Sequence, residues 1–240
     1  MAYELHQNKN YIHHQNSRIV SVFREIIFGM EDGMVSTLGA ITGIAAGSRN
    51  HFVVLLAGFV IISVESISMG IGSYLSNKSE SEIIARKLSE EENEINDFPE
   101  REKEELKMIY LKAGWSAGLA AKMAEEAGLD KKLMLKEMAY RELDVSPNND
   151  RQTLGRGFFM FFSYVIGGMV PLFAYLILPI ASAVYLSVVI TLIALFCLGV
   201  LTTRYTKRSW LKTGLRMLLL GGVALVVGLA VSRLVNYLNV

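Results

Sequence analysis

Residues 23–47 read FREIIFGMEDGMVSTLGAITGIAAG. After Arg24 and Glu25 the stretch turns apolar, small and glycine-rich, as a helix surrounded by lipid does. Yet Glu31 and Asp32 stand side by side near its start, between Met30 and Met34. An ionisable group at the centre of a membrane span costs about 2.5–3.5 kcal/mol on insertion scales, so such groups are functional candidates by default. The fold and the function both turn on why two carboxylates occupy this position.

The rest of the chain supports a membrane reading. Apolar residues make up 52% of the 240, and mean hydropathy is +0.34. Charge is segregated: residues 157–200 contain no Asp, Glu, Lys or Arg, whereas 78–151 hold most of the acidic side chains. A span needs about 20 mainly apolar residues, and five stretches qualify, at roughly 26–47, 52–75, 157–177, 180–202 and 213–235. Pro179 sits in the tight LILPIA connection between the third and fourth, where it ends one helix or starts the next. The expected fold is therefore an all-α membrane protein of five transmembrane helices with a helical insert between spans two and three. The divisions fall at 1–77, 78–150 and 151–240.

Lys/Arg bias sets orientation. Lys9, Arg18 and Arg24 precede span one, and Arg204, Lys207, Arg208, Lys212 and Arg216 lie between spans four and five. The opposite turns hold Arg49 and nothing else basic. The N-terminus and the insert are thus expected in the cytoplasm. The first eighteen residues have neither an apolar core nor a small-residue cleavage site, so no removable signal peptide is expected. The lone Cys197 excludes a disulfide framework and a thiolate metal site, and reads as a packing residue. Gly39, Gly43 and Gly47 recur every four residues on one helix face, which allows close backbone approach either within the bundle or between two copies.

The insert divides at Asp97 and Pro99, at AGW, at AGLD and at Pro147, giving helices at about 99–112, 116–127 and 130–143. Between Glu80 and Glu105 eleven acidic residues face four basic ones, an excess of like charge that destabilises helices unless relieved. Glu91 and Glu94, and Glu102 with Glu105, share helix faces at i,i+3 spacing. If the chain folds back at Pro99 the two pairs can converge on a divalent cation. The alternative is a solvated acidic face.

Within the spans, Asp32 and Glu65 are the carboxylates to explain, with Glu31 closer to an interfacial residue. Met69 follows Glu65 by four residues on the same face. No basic residue lies within either span to neutralise them. Mg²⁺ and Ca²⁺ favour oxygen alone, whereas a first-row transition ion accepts carboxylate and thioether together. Ligation needs the ionised carboxylate, which couples metal to proton.

With these residues in place, the chain resembles the vacuolar iron transporter family from about residue 20 to its end. The likeness rests on DGMVSTLGAITGIAAG, SISMGIGSYL, the acidic insert, SYVIGGMVPL and GLRMLLLGG, in that order. It implies a five-helix homodimer that moves Fe²⁺, and often Mn²⁺, Co²⁺ or Zn²⁺, out of the cytoplasm in exchange for protons. Asp32 and Met69 match the pathway residues of spans one and two. Glu91, Glu94, Glu102, Glu105, Met138 and Glu142 match the family's cytoplasmic metal-binding domain. Two positions depart: Ile61 stands where the family has its second-span glutamate, with Glu65 one turn nearer on the same face, and Ala139 replaces the second of two adjacent methionines.

Metal and protons are then substrates, with no permanently bound cofactor, and no nucleic-acid partner is expected. The resemblance implies a multi-pass protein of the cell membrane in a prokaryote or the vacuolar membrane in a eukaryote. A non-transporting membrane-bound metal sensor or store is the competing reading, but it would have no use for Asp32 and Glu65. An enzyme is not expected. Helical di-iron sites commonly use Glu-x-x-His, and His6, His13, His14 and His51 all lie outside the insert.

Overall fold

The computed structural model describes residues 17–143 and 153–238, and among these all regular structure is helical. The helices are α1 (Ser17–Ser48), α2 (His51–Asp97), α3 (Pro99–Lys112), α4 (Ala117–Leu129), α5 (Lys131–Arg141), α6 (Thr153–Ile177), α7 (Ile180–Thr206) and α8 (Trp210–Tyr237). Lys9, Pro147 and the histidines at 6, 13 and 14 lie outside the described residues. The chain forms two compact units, Met1–Ser73 with Leu154–Val240, and Tyr74–Thr153.

Among the described residues four helices are long and apolar enough to cross a membrane: α2, α6, α7 and α8. The helix α1 is long enough at 32 residues. Its glycines, hydroxyl side chains and paired carboxylates make it less apolar than the other four, in keeping with its place in the packing. It packs most extensively on α8 and also on α7, and its Met34, Leu38 and Ile41 are fully buried. The other four turn large apolar side chains outward, among them Val64, Phe158, Ile193 and Val226. Cys197 belongs to this outward surface and is exposed; its small apolar side chain suits lipid as well as it suits a core.

The glycine stripe of α1 packs inside the bundle. A Cβ placed on Gly43 would stand 2.6 Å from the carbonyl oxygen of Gly228, so α1 and α8 cross with their backbones in contact, as small residues at four-residue spacing permit. The crossing with α6 is equally close at Gly33, whose Cβ would meet the Gly168 nitrogen at 2.9 Å. This second crossing lies next to Glu31 and Asp32 and fixes their height against α6.

Prolines shape the α6–α7 hairpin. Pro179 has no N–H to offer the Tyr175 carbonyl four residues earlier, and the His51 ring nitrogen Nε2 bonds that carbonyl instead. The Ser187 hydroxyl of α7 donates to the Pro171 carbonyl of α6 at 2.7 Å. The first contact ties α2 to the end of α6, and the second ties α7 to α6.

The second unit has its own core: Ile95, Leu106, Tyr110, Ala120, Ala124, Ala127, Met134 and Met138. Its helix ends follow ordinary capping chemistry. Pro99 occupies the first turn of α3 together with Glu100 and Glu102, where negative charge complements the helix dipole. Gly114, at φ +96°, turns the chain after α3, and Asp130 caps α5 by accepting from the Lys132 amide.

Candidate functional site

Two groups of acidic side chains emerge, one in each unit. In the first unit, α1 and α2 run antiparallel with their carboxylates along the seam. Ser73 donates to Glu25 Oε2 at 3.1 Å, and seven residues along α1, eight back along α2, Asp32 comes within electrostatic reach of Glu65. That register puts Met69 level with Gly29, whose bare Cα faces Met160 and Ser163 of α6. Asp32, Glu31 and Met69 are half-buried, whereas Glu65 is exposed on the surface of α2. Tyr164 of α6 is fully buried. Its hydroxyl lies 2.6 Å from the Ser36 hydroxyl and within reach of both Asp32 and Glu65.

Glu31 points elsewhere. Its electrostatic neighbours are Asp32 and Arg216 of α8, so a cation absent from its own span approaches from another helix. Met34 packs with Leu195 and Leu198 in a small core, and Met30 lies against it. The seam also contains a carboxylate that the sequence reading passed over: Glu25 is only 5% exposed. Its spacing of seven residues from Asp32, two helical turns on one stripe, is the signal that could have found it.

In the second unit, the end of α2, the start of α3 and the end of α5 bring five glutamates together. Glu91 and Glu102 are buried at 3% and 5% exposure, and Glu94, Glu105 and Glu142 form an exposed rim. Burial, followed by the repulsion of Glu142, Glu102, Glu94 and Glu105, pushes the Glu91 carboxyl from 4.5 up to about 7. Glu102 is raised by burial and then by Glu105, Glu94 and Glu142, against a smaller opposing pull from Arg101. Glu142 is raised by burial and by Glu105 and Glu94, while a hydrogen bond from Glu91 pulls the other way. Glu91 Oε1 is buried with no hydrogen-bond partner, an arrangement that costs about 1–3 kcal/mol, more for a charged group.

The carboxylates face one another without closing on a point: among the described residues no three His, Cys, Asp or Glu side chains are drawn into a metal-holding group. Met138 is fully buried in the core of this unit, with Ala139 buried beside it. The ion pairs of the unit join other residues, Lys78–Glu82, Arg86–Glu90, Lys103–Glu100, Lys107–Glu104 and Arg141–Glu137.

Residues 23–233 match the VIT family. The chain belongs to the VIT family. Vacuolar iron transporter 1 of Eucalyptus grandis is 30% identical over 216 residues, covering 90% of this chain and 87% of that protein. Vacuolar iron transporter 1 of Arabidopsis thaliana is 29% identical over 228 residues, covering 94% and 91%. The vacuolar iron transporter of Plasmodium berghei is 28% identical over 211 residues, covering 84% and 77%. Membership of the VIT family makes this chain a transporter and not an enzyme.

Proposed function

We propose that the protein exports divalent transition metal from the cytoplasm in exchange for protons, with Fe²⁺ as principal substrate and Mn²⁺, Co²⁺ or Zn²⁺ as alternatives. Metal is first captured by Glu91, Glu94, Glu102, Glu105 and Glu142, with Met138 as the associated sulfur. It then passes along Asp32, Glu65 and Met69, with Glu31 at the mouth. The observation that carries this reading is Glu91: a buried carboxyl with an unpartnered oxygen, held near pH 7 by burial and by four other glutamates. A divalent cation would relieve that repulsion and displace the proton in one step, because ligation requires the ionised carboxylate.

In this reading α1 is a fifth span alongside α2, α6, α7 and α8, residues 78–150 are a cytoplasmic metal-binding domain, and the N-terminus is cytoplasmic. The membrane is the cell membrane in a prokaryote and the vacuolar membrane in a eukaryote. Assembly is a homodimer. Glu65 supports it: a carboxylate on the outward surface of a membrane helix is costly against lipid and is better covered by a second copy, whose own Asp32 and Glu65 would complete the pathway.

The decisive experiment is uptake into proteoliposomes under an imposed pH gradient, following Fe²⁺ and Mn²⁺ for wild type and Asp32→Ala. Gradient-dependent uptake that disappears in the variant is expected. Uptake indifferent to both the gradient and Asp32 overturns the antiport mechanism.

A further inference from the structure

The insert sorts its glutamates into two sets. Each ion pair in this unit joins a cation to a glutamate outside the cluster: Glu82, Glu90, Glu100, Glu104 or Glu137. Among the described residues none joins Glu91, Glu94, Glu102, Glu105 or Glu142. Four of the pairs lie on α2 or α3, each with its glutamate well exposed, and contribute little individually. The fifth differs. Arg141 and Glu137 are only 24% and 27% exposed, and Glu137 Oε2 accepts from Arg141 Nε at 2.9 Å and from the Tyr110 hydroxyl at 3.0 Å. The guanidinium also lies 4.6 Å from the centre of the Tyr110 ring, within the range of a cation–π contact. Tyr110 itself is buried at 1% exposure.

The position of this pair gives it consequence. Arg141 directly precedes Glu142, and its guanidinium stays charged at any accessible pH. A free arginine there would be drawn into five mutually repelling carboxylates and would occupy them in place of a divalent cation. We propose that Glu137, braced by Tyr110, is a positioning residue that ties Arg141 away from the carboxylate cluster and so keeps the cluster open to metal. Glu137 need not touch the metal; it acts by holding the guanidinium that directly precedes Glu142 on the rim, whereas Arg101, the arginine next to Glu102, exerts only a small pull on the cluster. This inference rests on the reading of the cluster as the metal-capture site.

The test is calorimetric titration of Mn²⁺ into the full-length protein in detergent. The variants are Glu137→Gln, Arg141→Gln, their combination, Glu137→Met with Arg141→Met, and Glu91→Gln with Glu142→Gln as the cluster control. Freeing Arg141 with Glu137→Gln should weaken Mn²⁺ binding about tenfold, the scale of one added charge at a partly exposed site. Removing the guanidinium as well should restore affinity to within about twofold of wild type, and Arg141→Gln alone should not weaken it. A purely structural role for the pair gives the opposite pattern: the double variant stays as weak as, or weaker than, Glu137→Gln, and that overturns the proposal. If Glu137→Gln does not fold, the double methionine variant decides. Apolar replacement of a buried pair is commonly tolerated, so wild-type affinity supports the proposal and a tenfold loss overturns it. If the cluster control binds Mn²⁺ as wild type does, the cluster reading fails and this inference with it. If the control loses binding while Glu137→Gln binds normally, only this inference fails.

Discussion

The α1–α2 seam and the insert solve opposite problems with the same side chain. The seam sets Glu25 two helical turns from the Asp32–Glu65 pair, so its carboxylates are spread along two helices. The insert gathers five glutamates, two of them buried. Ligand number and charge set affinity for a divalent ion; in the function proposed above, the crowded site would serve capture and the sparser one release. A carrier needs both, because an ion held in the membrane as tightly as in the insert would not leave.

Variants can break or sharpen that contrast. The largest effect is expected from Asp32→Ala, which should reduce proteoliposome uptake at least tenfold while leaving Mn²⁺ affinity in detergent within about twofold. Equal loss of both would merge the two sites into one. Glu91→Gln with Glu142→Gln should do the reverse: affinity falls about tenfold or more, and uptake at saturating metal falls much less. Next comes Gly43→Leu, which forces a side chain between the α1 and α8 backbones. Thermal unfolding in detergent should show a loss of about 1–3 kcal/mol, and an unchanged midpoint would mean that the crossing yields easily.

The smallest effect concerns pH. A carboxyl raised from 4.5 to about 7 in the fold favours the folded insert while it is protonated. Its contribution is therefore full below about pH 4.5 and is lost as the pH rises through about 7. Metal-free protein carrying Trp210→Phe, followed through Trp115, should lose insert stability between those limits. Glu91→Gln should flatten the slope, and Mn²⁺ should reverse it at neutral pH.

Much of this was legible in the residues. Pro99, the Gly114 turn and Asp130 punctuate α3, α4 and α5 to within a residue or two, because caps and turns are local chemistry. The face-sharing of Glu91 with Glu94 and of Glu102 with Glu105 is likewise a property of helix spacing. What escaped depends on contacts between distant segments. The hydroxyl that bonds the buried Glu25 comes from Ser73, and the cation near Glu31 comes from Arg216 on the last helix. The glycine stripe was compatible with two partners until Ala224 and Gly228 were seen against it. The sorting of Glu137 from Glu142 needed Tyr110, 27 residues away in sequence.

The α6–α7 hairpin has a consequence for how the protein is made. From 157 to 200 no charged side chain marks where a helix should stop, and the turn at Pro179 carries none to hold it on either face of the membrane. A translocating machinery cannot easily hold α6 alone in the bilayer while α7 waits. The two should enter as a pair, and under the orientation proposed above Arg204, Lys207 and Arg208 at the far end of α7 would set their direction. Neutralising those three residues would leave the hairpin equally able to insert but without a preferred polarity, turning a fixed topology into a mixed one.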